Sequence, residues 1–205
     1  MNKIPLSPSY HNLADTRKLL NVKNGYNIIS NLAVFFPAFY LLQKHTHNTK
    51  NKILFIHISL IALTSTYYHL HPTNARIAWD MLFISTTHAV ILSYFIDEKI
   101  AFTIYLFSII SVIYWFLYND LRLYMILLLC IPLYIISQIY NDERVKHYII
   151  PLIISSLFTR YVEYNDEEIF KYTNNTISGH TLKHLSAGIS LYLTIIILGK
   201  LDKLQ

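Results

Sequence analysis

Residues 101–117 read Ala-Phe-Thr-Ile-Tyr-Leu-Phe-Ser-Ile-Ile-Ser-Val-Ile-Tyr-Trp-Phe-Leu and contain no charge. Asp97-Glu98-Lys99 precedes this stretch, and Asn119-Asp120-Leu121-Arg122 follows it. A bilayer core about 30 Å thick is crossed by about 20 helical residues, with a range of roughly 17–25. The stretch therefore predicts a membrane-spanning helix bounded by polar turns. Six further apolar segments predict the same: 26–42 with Pro37, 53–69, 77–95 with Asp80 and His88, 123–139 with Pro132, 147–162 with Pro151 and Arg160, and 180–198. The expected fold is all-α: a polytopic membrane protein built as a bundle of seven transmembrane helices. It forms a single domain over 1–205, with a polar N-terminal tail (1–25) and a short C-terminal tail (199–205). The connections between segments are short, so neighbouring helices should run antiparallel. The longest, 163–179, reads as a loop that is acidic in its first half.

Composition agrees with this reading. Of 205 residues, 54% are hydrophobic and only 14% charged, where soluble domains carry about 25% charged residues. Mean hydropathy is +0.36, so a soluble interior of this size could not hide the apolar surface. Cys130 is the single cysteine, which excludes an internal disulfide framework and multi-cysteine metal knuckles. The net charge of +5 fits loop lysines facing anionic head groups better than nucleic-acid binding. Lys and Arg divide about equally between the two membrane faces, so charge does not set the orientation. The first 25 residues lack the apolar core of a signal peptide.

Ionisable groups inside membrane spans are costly and default to functional hypotheses. With seven crossings, the end of helix two and the starts of helices three and seven share one face. His69, Asp80, His180 and His184 then lie at one depth. His180 and His184 are i, i+4 and project from one helical face, the geometry needed by two ligands of one metal. Three histidines with an open position make the ligand set of a catalytic zinc site, where bound water has its pKa lowered to about 7. Asp80 is the only carboxylate within the spans and is placed to accept a proton from that water. Ser65, i−4 from His69, is placed to polarise a substrate carbonyl, although a serine in a membrane helix also commonly bonds back to its own backbone. His57 and His88 read as hydrogen-bonded core residues, His71 and His147 as solvated helix ends, and His11, His45 and His47 as tail and loop residues. Asn174-Asn175-Thr176 is a formal glycosylation sequon with little weight on its own.

Ser65-Thr66-Tyr67-Tyr68-His69, Trp79-Asp80 and Gly179-His180-Thr181-Leu182-Lys183-His184 resemble the three motifs of the alkaline ceramidase family. That family sits within a superfamily of seven-helix membrane hydrolases that includes the progestin and adipoQ receptors. Ala14-Asp15-Thr16-Arg17, Ser30-Asn31, His71-Pro72-Thr73-Asn74-Ala75-Arg76 and Ser178-Gly179-His180 are similar to a bacterial branch of the family. The resemblance runs from Tyr10 to about Gly188. It implies an amide hydrolase that cleaves ceramide-like lipids into a sphingoid-type amine and a fatty acid. By position, it implies zinc on His69, His180 and His184, with Asp80 managing the water and Ser65 the carbonyl. It also implies a multi-pass protein of the bacterial inner membrane. The acidic calcium-binding segment of the eukaryotic relatives has no counterpart here, so calcium is not expected. Asp15 and Arg17 lie on the metal face and are candidates to cap the site.

The expected partners are a membrane lipid substrate and the bilayer; no nucleic acid and no protein partner is read from the sequence. Two other functions use the same histidines. One is a receptor-like membrane protein with a structural zinc; a closed structural site would want four ligands. The other is a haem bundle, which needs axial histidines on facing helices.

Overall fold

The computed structural model describes residues 3–45 and 48–204. Among them 76% are helical and no strand forms. The elements, in order, are α1 (Gly25–Ser30), α2 (Leu32–His45), α3 (Thr49–Leu70), α4 (Asn74–Leu92), α5 (Glu98–Tyr118), α6 (Arg122–Ile139), α7 (Lys146–Tyr164), α8 (Asp166–Tyr172) and α9 (Gly179–Lys200). Their ends follow local chemistry. Asn48, Thr73, Asp97 and Ser178 each accept a backbone N–H in the first turn of the helix that follows, satisfying donors that have no intrahelical partner. Asn119 stops α5 in the left-handed conformation (φ 49°), which asparagine tolerates.

Five helical segments are long and apolar enough to cross a membrane: Gly25–Lys44, α3, α5, α6 and α9. The other two of the seven expected spans, α4 and α7, have 19 residues each. Arg76 and Asp80 dilute the apolar character of α4, and Lys146, Arg160 and Glu163 that of α7. The outward surface is apolar. On α5, Phe102, Leu106, Phe107, Ile110, Ile113, Phe116 and Leu117 are all exposed, the inverse of a soluble helix.

Three expectations change. The first span is broken at Asn31, and it continues through Pro37. Proline has no N–H, so the carbonyl of Ala33 loses its helical donor. Gly188 of α9 lies so close to it that a Cβ there would overlap that oxygen. The second change is in 163–179, which is not all loop: it holds α8, with Asp166, Glu167 and Glu168 in its first turn and Lys171 in its last, as the helix dipole favours. The third is His45, which closes α2 rather than lying in a loop; His47 lies outside the described residues.

Helix α9 packs against both α2 and α7, and α4 packs against α3, α5 and α6. The largest buried cluster includes Leu41, Leu54, Ile58, Leu92, Ile195 and Leu198. These residues come from the end of the bundle where α2, α4 and α9 finish and α3 begins. The opposite end buries Asp15, Asn24, Asn27, His69, His180 and His184.

Candidate metal centre

His69 is the penultimate residue of α3, and His180 and His184 occupy the first two turns of α9. All three are at least 95% buried. The Nε2 atoms of His180 and His69 are 3.2 Å apart, and those of His69 and His184 are 3.4 Å apart. One ligand atom from each ring lies within 4.8 Å of the others. A tetrahedron of nitrogens 2.0–2.1 Å from zinc has edges of about 3.3–3.4 Å; the His69–His184 separation matches this, and the His180–His69 separation is slightly shorter. The three rings stand edge-on to one another, with centroids 4.7–5.1 Å apart. They converge on a point rather than facing across a slot, which disfavours a haem. Three histidines brought together in this way could hold a metal ion.

Ser65 lies on the same face of α3. Its Oγ is 3.5 Å from His184 Nε2, at the outer limit of a hydrogen bond. Its neighbour Thr64 instead donates back to the Leu60 carbonyl at 2.7 Å. Asp80, in the second turn of α4, is 6% exposed, and its Oδ1 has no hydrogen-bond partner among the described residues. Lys183 and Glu163 are the charged groups whose fields reach it most strongly. Lys183 sits between the two α9 histidines and is held by Glu163, which also takes Arg160 (3.0 Å) and the Tyr10 hydroxyl (2.8 Å).

The support around the histidines comes from α1 and the tail. Ser30 Oγ lies 2.7 Å from His184 Nδ1 and donates to the Asn27 carbonyl at 2.8 Å. Asn27 is fully buried; its Nδ2 donates to the Asp15 carbonyl, and its Oδ1 accepts from Ser178 and Thr181. Asn24, in the left-handed region, donates to the His69 carbonyl at 2.8 Å. Asp166 accepts the His180 backbone N–H at 2.7 Å and the Ala14 N–H at 3.0 Å. It thereby ties the tail and α8 to the start of α9.

The hydrogen bonds and ion pair that Asp15 and Arg17 make among the described residues do not involve the three histidines. The Asp15 carboxylate is spent on a two-point pair with Arg17 (2.9 and 2.6 Å), whose guanidinium lies over Tyr26 and near Phe170 and donates to the Thr176 carbonyl. They clamp the tail over this end of the bundle. His57 and His88 behave as core residues, with Nδ1 bonded to the Ile53 and Ile84 carbonyls. His11 is not a free tail residue, because its two ring nitrogens meet Tyr68 and Asn74. A groove of about 500 Å³ lined by His11, Lys23, Asn24 and His71 opens beside the site on the tail face.

Ser30, Asn27 and Asp166 do not announce themselves as site residues. The Ser30-Asn31 pair was visible only as part of a likeness. Asp166 lies in an acidic run whose helix signal, acids first and Lys171 last, was readable but not its reach to His180. No family model, curated protein or solved structure matches the chain.

Proposed function

We propose that the protein is a multi-pass membrane amidase with seven crossings, dependent on zinc, that hydrolyses the amide of a ceramide-like lipid to a fatty acid and an amine lipid. The observation that carries this reading is the histidine trio: three buried imidazoles share one point and a hydroxyl lies beside them. Separately, on α4, a buried oxygen of Asp80 lacks a hydrogen-bond partner among the described residues. Native proteins pair nearly all buried polar atoms, so an orphan such as Asp80 Oδ1 asks for a water or a ligand. Three nitrogen ligands, with no fourth His, Cys, Asp or Glu grouped with them among the described residues, match the set used by catalytic rather than structural zinc. The motif resemblance to alkaline ceramidases supplies the substrate class.

When bound, the ion supplies Lewis acidity and lowers the pKa of water at the site. His69, His180 and His184 hold it. Asp80 takes a proton from the attacking water and returns it to the nitrogen as the carbon–nitrogen bond breaks, so the amine leaves neutral. Ser65 donates to the carbonyl oxygen as it gains charge. The acyl chain lies in the bilayer and reaches the site sideways between helices.

Purified protein should contain about one zinc per chain, as expected for three histidine ligands, and His180→Ala should remove it. A strain lacking the protein and an Asp80→Asn strain should accumulate the same acylated amine lipid. Zinc-free protein would end the reading. Zinc-loaded protein with no accumulated lipid in either strain would mark the ion as structural and the protein as receptor-like.

A further inference from the structure

We infer that Ser30 is a positioning residue that fixes the tautomer of His184, so that Nε2 is the nitrogen presented to the ion; this rests on the metal reading above. The argument is a proton count. Ser30 Oγ has one proton and two buried neighbours, the Asn27 carbonyl at 2.8 Å and His184 Nδ1 at 2.7 Å. A carbonyl can only accept, so the Ser30 proton goes to Asn27. The oxygen then has only lone pairs to offer His184, and Nδ1 must carry the proton. Nε2 is left with its lone pair, and it is Nε2 that lies 3.4 Å from His69 Nε2. Histidine ligands commonly have the nitrogen away from the metal hydrogen-bonded in this way, which sets ring orientation and basicity.

The arrangement reaches further than one bond. Asn27 carries the acceptor carbonyl and, through its side chain, joins the tail at Asp15 to the start of α9 at Ser178 and Thr181. His69 has no equivalent among the described residues, where its buried Nδ1 finds no partner. Of these two ligands, His184 is therefore the one whose protonation pattern the fold dictates.

The test uses the full chain in detergent micelles with nitrogen-15-labelled histidine, assigning His184 by the signal lost in His184→Gln. In metal-free wild type, His184 should show a protonated Nδ1 and a bare Nε2. Ser30→Ala should give a mixture of the two tautomers, and Ser30→Thr, which keeps the hydroxyl, should restore the single form. Zinc affinity, measured by chelator competition, should fall about 10–100-fold in Ser30→Ala, as for loss of comparable partners of ligating histidines, and recover in Ser30→Thr. A single Nδ1-protonated form in Ser30→Ala, with wild-type zinc affinity, overturns the inference. If wild type binds no zinc, the metal reading fails separately, and the tautomer signals still decide the role of Ser30.

Discussion

In the proposed hydrolysis Asp80 and Ser65 divide the chemistry between them, and the two can be separated by substitution. Asp80 is buried and leaves one oxygen unpartnered, so Asp80→Asn keeps the volume and removes the base. It should retain zinc and lose turnover by about 10²–10⁴-fold, the usual range for a positioned acid–base group. Parallel metal analysis and lipid hydrolysis assays read this; an active Asp80→Asn enzyme would remove Asp80 from the mechanism. Ser65→Ala should cost about 10²–10³-fold in rate, as for loss of one oxyanion donor, again with metal retained. Loss of zinc in Ser65→Ala would show instead that the hydroxyl supports the ligands, as its 3.5 Å approach to His184 Nε2 also allows.

The junction of α2 and α9 shows how a helix-breaking residue is used. Pro37 frees the Ala33 carbonyl, and Gly188 lets α9 approach that oxygen. Small residues at membrane helix crossings permit this approach. Gly188→Ala must push the helices apart and should lower stability by about 1–3 kcal/mol, the cost of overpacking a tight core; thermal unfolding in detergent measures it. The crossing lies one turn beyond His184 on α9, so the same variant should also weaken zinc binding. At the α5–α6 turn, Asp120 is fully buried and binds Arg122 at 2.6 Å, while it accepts the Ile4 backbone N–H of the tail. The Arg122 guanidinium holds the Asp120 carboxyl well below the usual carboxylate range. A depressed folded-state value means that the contribution is present above the ordinary Asp pKa of about 3.9 and is lost as pH falls through the folded-state value. Acid should therefore release the start of the tail, and Asp120→Asn should release it at neutral pH. Protease sensitivity of residues 3–24 is the readout.

Across the whole molecule, hydrogen bonds tie the tail to the histidine end of the bundle, which should make that end a separate cooperative unit. What the sequence made legible was periodic or compositional. Apolar runs marked the helices, and i, i+4 spacing with helix parity brought His180 and His184 to His69. What stayed hidden was contact without a period: Ser30 to His184 across 154 positions, Asp166 to Ala14 across 152, Glu163 to Tyr10 across 153. Such bonds depend on where the tail lies over the bundle, and no local pattern encodes that. Helix α8 is the intermediate case, since its charges were readable but were masked by their place in a polar connection. The same division predicts how metal removal acts. The ion would bridge the end of α3 to the start of α9, while Leu54, Ile58, Ile195 and Leu198 hold the opposite ends together without it. Binding to the folded state alone adds about 2.7 kcal/mol at a free ligand concentration of 100 Kd. Chelation should therefore lower the thermal midpoint in wild type but not in His180→Ala. Hydrogen exchange should accelerate in residues 178–186 and in the tail, and stay unchanged in 190–200. Uniform acceleration along α9 would show that the two ends unfold as one and that the metal end has no independence.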